Sequence, residues 1–267
     1  MKSSVVNGKY LGSKIMGDLS TAYAKLSRKA TLGLLIMNPD FTAEKFLTIK
    51  RNLAESLGVK IEETKVDPDA KTDAVLKALA ELVSKTDGVI VQLPLPTHID
   101  TEAVLLAIPA THDVDGIGGG KETMLPPVVG AIAEILAHES QLLFGKKVVI
   151  VGKGRLVGEP ASRWFKEQGS TVVLLEKGDD VASETKDADV IVLGAGSPGL
   201  LTPEMVKDDV VILDAGTSEV AGKLAGDADP ALEQKARLFS PVPGGIGPVA
   251  VAVIFKNLLQ LVQKPRS

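Results

Sequence analysis

A chain of 267 residues, 45% hydrophobic and 24% charged, has the make-up of a soluble globular protein with a substantial core, and is longer than one average domain. Its net charge of −4 offers no basic field to nucleic acid or to an anionic membrane. With no cysteine there are no disulfides, thiol nucleophiles or thiolate metal sites, and His98, His112 and His138 share no metal-ligand spacing, so no metal is expected.

From Met1 to Leu26 there is no apolar core of signal-peptide length, and no run of about 18 apolar residues follows, so a cytoplasmic chain that does not cross a membrane is expected. Residues 32–37 are a short apolar run closed by Asn38-Pro39-Asp40, which predicts a strand. A helix is expected from Thr42 to Leu57, with Phe46, Ile49, Leu53 and Leu57 on one face and Gly58 as its stop. A strand at 59–66, a helix at about 69–84 and a continuously apolar strand at 88–93 complete a parallel α/β unit with right-handed crossovers. The segment 111–127, with Gly118-Gly119-Gly120, reads as a domain break. Beyond it the pattern restarts with a strand at 147–151, a helix at about 156–168 and a strand at 171–175. Strands at 190–193 and 210–213 follow, then a Gly/Pro-rich stretch at 240–248 and a closing apolar helix from about 249 to 262.

The best-defined motif opens the second half. Val148 to Val151 form a buried strand that turns through Gly152, Lys153, Gly154 and Arg155 toward Gly158 and a helix. Gly152 suits the tight turn, Gly154 a close approach by a pyrophosphate, and Gly158 close packing of helix on strand. The helix amino terminus offers N–H groups and a positive dipole to phosphates. The spacing is one residue longer than the usual dinucleotide fingerprint, but its strand–turn–helix setting points to dinucleotide binding. Glu176, at the end of the next strand, suits a ribose 2′-hydroxyl and hence NAD, whereas Lys153, Arg155 and Lys177 could hold a 2′-phosphate. The balance leans slightly to NADP, with NAD as the alternative.

Three further segments have no chemistry that spacing supplies: Asp87 to Pro96 with its Gln-Leu-Pro-Leu-Pro string, Asp113-Val-Asp-Gly116, and Pro241-Val-Pro-Gly-Gly-Ile-Gly-Pro248. With the loop at 152–160, in this order, they resemble the bifunctional methylenetetrahydrofolate dehydrogenase/methenyltetrahydrofolate cyclohydrolase family. Val5-Val-Asn-Gly-Lys9 and the stretch from Ala188 to Gly199 also fit, so the resemblance covers nearly the whole chain. It implies an α/β fold of two domains, with a folate-binding catalytic domain of residues 1–122 plus 247–267. A Rossmann-like NAD(P) domain would span 123–246, with the last helix packing back on the first domain. It also implies a tetrahydrofolate substrate and a homodimer. Hydride would pass from the folate methylene carbon to the nicotinamide, and water would then open the methenyl product to the formyl form.

The resemblance assigns roles one residue at a time. Lys50 falls on the family's essential lysine, which serves cyclohydrolase chemistry, and Gln92 on the glutamine that holds it. Asp115 matches the acid that binds the pterin's amino-pyrimidine edge, and Pro243, Gly244 and Gly245 match the loop against substrate and nicotinamide. Asp113 reads instead as a turn residue, since Asp readily bonds its own nearby backbone. Departures are also present: the family's tyrosine is Phe46, a nearby serine is Ala43, the cofactor-loop serine is Gly154, and the usual Met-Thr is Val249-Ala250. Phe46 keeps a face for stacking on folate and loses a hydroxyl. Hydride transfer, which depends on positioning, is expected to survive these changes. Proton transfer at Lys50, which depends on its polar shell, is the more exposed to them. A monofunctional NAD-dependent dehydrogenase and a non-catalytic folate or dinucleotide binder are the alternatives.

Overall fold

A computed structural model describes residues 4–39, 41–118 and 124–264. The chain begins with β1 (Ser4–Val5), α1 (Gly8–Ala24), β2 (Thr31–Ile36), α2 (Phe41–Leu57), β3 (Lys60–Lys65), α3 (Thr72–Val83), β4 (Gly88–Val91) and α4 (Thr101–Leu106). It continues with α5 (Pro127–His138), β5 (Lys147–Val151), α6 (Gly158–Glu167), β6 (Thr171–Leu175), α7 (Val181–Thr185) and β7 (Val190–Leu193). It closes with β8 (Val210–Asp214), β9 (Ser218–Val220), β10 (Lys223–Ala225), β11 (Ala236–Ser240) and α8 (Ile246–Gln263).

Contacts divide the chain into two compact units, one of residues 14–125 and 251–267, the other of 1–13 and 126–250. This differs from the division expected at 122/123 and 246/247, and the first of those boundaries lies outside the described residues. The amino-terminal segment also changes sides. Ser4 and Val5 pair in parallel with Leu238 and Phe239 of β11, and Val6 N–H donates to Phe239 O at 2.9 Å. These backbone bonds place the first residues in the second sheet, which no local pattern of side chains announces.

The first unit is a parallel sheet of order β3-β2-β4. Strand β4, Gly-Val-Ile-Val, is buried throughout, as a parallel strand covered on both faces must be. One side is covered by α3 through Val75, Leu79 and Leu82. On the other, Leu32, Leu34, Ile36 and Ile90 pack with Leu47, Ala54 and Leu57 of α2 and with Val251, Ile254, Phe255, Leu258 and Leu261 of α8. Helix α8 is long and apolar enough to cross a membrane by length and composition, but 67% of it is buried in the protein. The closing helix therefore packs back on the first unit, as expected, and its apolarity serves the core.

The second unit is a six-stranded parallel sheet of order β1-β11-β8-β7-β5-β6, with β9 and β10 as a small antiparallel hairpin beside it. From β5 the chain moves outward to β6 and then returns to the other side of β5 to lay down β7. The strand order thus reverses between β5 and β7, the topological switch point where ligands of open α/β sheets bind at the carboxyl ends of the strands.

Candidate active site

The buried positions of α2 are Ala43, Leu47, Lys50, Ala54 and Leu57, a stripe spaced by four, three, four and three residues. Lys50 stands in the middle of that stripe and is only 8% exposed. The expected stripe through Ile49 lies about 100° around the helix, and Ile49 is 43% exposed. A helix that turns a lysine inward instead of an isoleucine places an amine where it can act on something.

That amine has a defined partner. Lys50 Nζ donates to Gln92 Oε1 at 3.0 Å, and Gln92 Nε2 donates to Leu93 O at 2.8 Å, which fixes the amide so that its oxygen faces the lysine. Gln92 sits just past β4, with its backbone N–H bonded to Leu35 O at 2.9 Å. Phe46 lies one turn before Lys50, half-buried against the same core. Burial pushes the Lys50 amine below the usual lysine range, and the charge of Asp115 works against that shift. Burial likewise pushes the Asp115 carboxyl up to about 6, with Lys50 opposing and Asp113 adding to the rise. The two shifts narrow the gap in proton affinity between the amine and the carboxylate.

Asp115 is held by its neighbours. Asp113 Oδ2 accepts from Gly118 N–H at 2.7 Å, a local turn bond of the kind its sequence predicts. Val89 N–H donates to His112 O at 2.7 Å on the β4 side. Asn257 of α8, 5% exposed, donates through Nδ2 to Val114 O and to Leu125 O, both at 2.9 Å. Asn257 was not foreseen; its one signal is an amide inside a largely apolar helix. Gly118 begins the expected glycine-rich stretch, and Gly119 and Gly120 lie outside the described residues.

The second unit carries the other set. Gly152 has φ +106°, and a Cβ there would lie 2.5 Å from Gly194 O, so only glycine makes this turn. A Cβ on Gly158 would lie 1.8 Å from Gly152 O, which brings α6 hard against the end of β5. Gly154 has open space around it, and no side chain caps the amino terminus of α6, where Val157 and Glu159 N–H turn back to Gly154 O at 3.3 and 3.2 Å. Lys153 Nζ lies 3.8 Å from Glu176 Oε2, an exposed pair. Lys177 follows in a turn closed by Asp179, whose Oδ2 accepts from Glu176 N–H at 2.8 Å. At the end of β11, Gly244 has φ +111°, and its carbonyl accepts from Gly8 N–H at 2.9 Å. Pro243 is exposed beside it, and Gly245 is buried, with its N–H on Pro241 O at 2.8 Å. The residues singled out from sequence therefore form two sets, Phe46, Lys50, Gln92 and Asp115 in the first unit and the rest in the second.

A switch-point crevice with a glycine turn, joined in one chain to a buried lysine with amide and carboxylate neighbours, has the parts of a Rossmann-type dinucleotide enzyme with a second set of polar groups. The comparisons with known proteins agree. Residues 6–115 match the catalytic domain of the tetrahydrofolate dehydrogenase/cyclohydrolase family, and residues 126–266 match its NAD(P)-binding domain. The bifunctional protein FolD of Halothermothrix orenii is 33% identical over 96% of each chain. Among solved structures, the bifunctional FolD dehydrogenase/cyclohydrolase of Campylobacter jejuni superposes with TM-score 0.92 at 27% identity, covering 98% of this chain and 99% of that one. The Trypanosoma brucei methylenetetrahydrofolate dehydrogenase-cyclohydrolase, complexed with NADP and an inhibitor, gives TM-score 0.92 at 25% identity, covering 99% and 100%. The chain belongs to the tetrahydrofolate dehydrogenase/cyclohydrolase family.

Proposed function

We propose that this protein oxidises methylenetetrahydrofolate with NADP and hydrolyses the methenyl product to formyltetrahydrofolate. The observation that carries the proposal is the buried Lys50, 3.0 Å from Gln92 and within the electrostatic reach of Asp115. An inward-facing amine of lowered proton affinity has no use in a folded core, and it has one beside a reacting water.

In the hydrolytic step, the water oxygen bonds to the methenyl carbon and Lys50 Nζ takes the proton released. The bond from that carbon to one ring nitrogen then breaks as the nitrogen gains a proton and the new hydroxyl loses one, leaving the formyl group. Gln92 Oε1 fixes the direction of the amine, and the Asp115 carboxylate accepts from the donor-rich pyrimidine edge of the pterin. Phe46 offers a ring face to the folate.

The dinucleotide fits the second unit: the glycine turn at 152–158, with open space at Gly154, suits its pyrophosphate, and Lys153, Arg155 and Lys177 suit a 2′-phosphate. When bound, it accepts the hydride from the folate methylene carbon. Gly244, with open space around it, leaves room for close approach of ligands to the backbone, whereas Gly245 makes room for Ser240. Glu176 favours a second reading, NAD as co-substrate, because a carboxylate suits a free 2′-hydroxyl.

A cytoplasmic homodimer is part of the proposal and rests on the family. Light scattering on the purified protein tests its oligomeric state. The reaction is tested by supplying methylenetetrahydrofolate with NADP or NAD and following reduced dinucleotide. Reduction with NADP faster than with NAD is expected; no reduction with either, despite folate binding, points to a non-catalytic binder.

A further inference from the structure

The crevice at the switch point has two walls, the loop after β5 and the loop after β7. The first is the glycine turn at 152–158, built by its own sequence. The second, residues 194–201, carries Gly194, Gly196 and Gly199 and a turn in which Leu200 N–H donates to Ser197 O at 3.2 Å, and Ala195 to Gly199 are exposed. It packs on the first wall, since a Cβ on Gly194 would lie 3.0 Å from Val157 Cγ1 and the Gly152 turn fits against Gly194 O.

What holds this second wall is a fully buried carboxylate from elsewhere in the chain. Asp227 Oδ2 accepts from Ala195 N–H at 2.7 Å and from Gly196 N–H at 3.0 Å, and Oδ1 accepts from Ser197 N–H at 2.6 Å. The Asp227 carbonyl accepts from Leu201 N–H at 3.1 Å, so one residue grips both ends of the loop. Asp227 is itself fixed to the sheet. Asp214, the last residue of β8, accepts from Asp227 N–H at 3.2 Å and from Ala228 N–H at 2.9 Å. A Cβ on Gly216 would lie 2.2 Å from Asp227 Cγ, so the carboxylate fills a slot that only glycine leaves open.

We infer that Asp227 is a positioning residue for the dinucleotide: by clamping 195–197 to the end of β8 it sets the shape of the crevice wall at the nicotinamide side. Three bonds to a charged acceptor, on a loop with an exposed outer face, are more than an ordinary turn requires, and they hold the wall ready before ligand arrives. The inference rests on the dehydrogenase/cyclohydrolase reading, and it predicts that the two reactions separate, because methenyl hydrolysis needs no dinucleotide.

The test is Asp227→Asn, an isostere whose amide replaces one acceptor oxygen with a donor facing donors. Its KM and dissociation constant for NADP are expected to rise about tenfold or more, the usual effect of losing charge-assisted bonds. Folate KM and the hydrolysis of added methenyltetrahydrofolate are expected to stay within about twofold. Loss of both reactions together, or of neither, overturns the inference. Should the variant fail to fold, hydrogen exchange on the wild-type protein decides. Slow exchange of amides 195–197 without ligand is expected, and fast exchange there overturns the inference. Wild-type turnover in the same assay judges the parent reading separately, since a wild type that reduces no dinucleotide sinks that reading whatever Asp227 does.

Discussion

Replacing Lys50 with glutamine removes the amine that the proposed hydrolysis depends on and keeps a polar side chain beside Gln92. Lys50 is 8% exposed and bonded to Gln92 at 3.0 Å, so bulk water does not readily replace it. A positioned general acid–base contributes about 10²- to 10⁴-fold, or about 3–5 kcal/mol of barrier. Methenyl hydrolysis in Lys50→Gln is therefore expected to fall by about that factor, toward the spontaneous rate. Hydride transfer moves no proton through Lys50, so dinucleotide reduction should persist and methenyl product should build up. The assay follows the decay of added methenyltetrahydrofolate by absorbance, with an enzyme-free control, and dinucleotide reduction in a separate run. The sign of the stability change follows as well. The folded-state affinity of Lys50 for a proton lies below its unfolded value, so its charged form opposes folding, and stability from this group rises with pH between the two values. Lys50→Gln should accordingly not destabilise the fold at neutral pH. Unchanged methenyl hydrolysis in this variant would refute the role given to Lys50.

Asp115→Asn should raise folate KM about 10- to 100-fold and remove the acid limb near pH 6 expected of the wild type as Asp115 gains a proton, read from pH profiles of kcat/KM. Asp214 is 2% exposed, and burial foremost pushes its carboxyl up to about 6. A raised folded value means that its contribution to stability is fully present below the unfolded value and is lost as pH rises through about 6. Urea titrations from pH 5 to 8 should therefore show a shallower pH dependence in Asp214→Asn than in the wild type, by up to about 1.4 kcal/mol across the range, because a folded value near 6 leaves about one pH unit of the linkage above pH 5. Equal slopes would contradict this. Glu176→Gln removes a carboxylate from the place where a 2′-phosphate would sit, so kcat/KM for NADP relative to NAD should rise, by roughly three- to tenfold. A fall in that ratio would mean that Glu176 does not face the ribose.

Much of the architecture is legible in the sequence because it is carried by local signals. β4, β5, β7 and β8 are short, unbroken apolar runs, and only parallel strands covered on both faces need them. The glycine turn at 152–158 is equally local. Helix α1 is not, since Gly8, Gly12 and Gly17 weaken its helical signal. The reason for two of them is tertiary: a Cβ on Gly8 would lie 1.8 Å from Gly245 O, and one on Gly12 would lie 2.9 Å from Pro248 O. The inward stripe of α2 was misjudged by one position because the true stripe holds two alanines and a lysine, and hydrophobicity favours its neighbour with Phe46, Ile49 and Leu53. The same misfit marks Lys50 as functional, since a lysine in a core stripe departs from local consistency for a reason. Lys50, Gln92 and Asp115 were named through family strings, and the geometry shows which charges act on which. Asp227 had no local signal and Asn257 only its amide in a largely apolar helix, because their donors and acceptors lie about 30 to more than 140 residues away.

The most direct measurement is one progress curve of the wild-type protein with methylenetetrahydrofolate and NADP, in which reduced dinucleotide, methenyl and formyl products are resolved by absorbance and acid quenching. Reduced dinucleotide and formyltetrahydrofolate rising together, with methenyl kept below its spontaneous level, is the expected result. Methenyl accumulating in step with reduced dinucleotide, and decaying only at its spontaneous rate, would contradict a second reaction at Lys50.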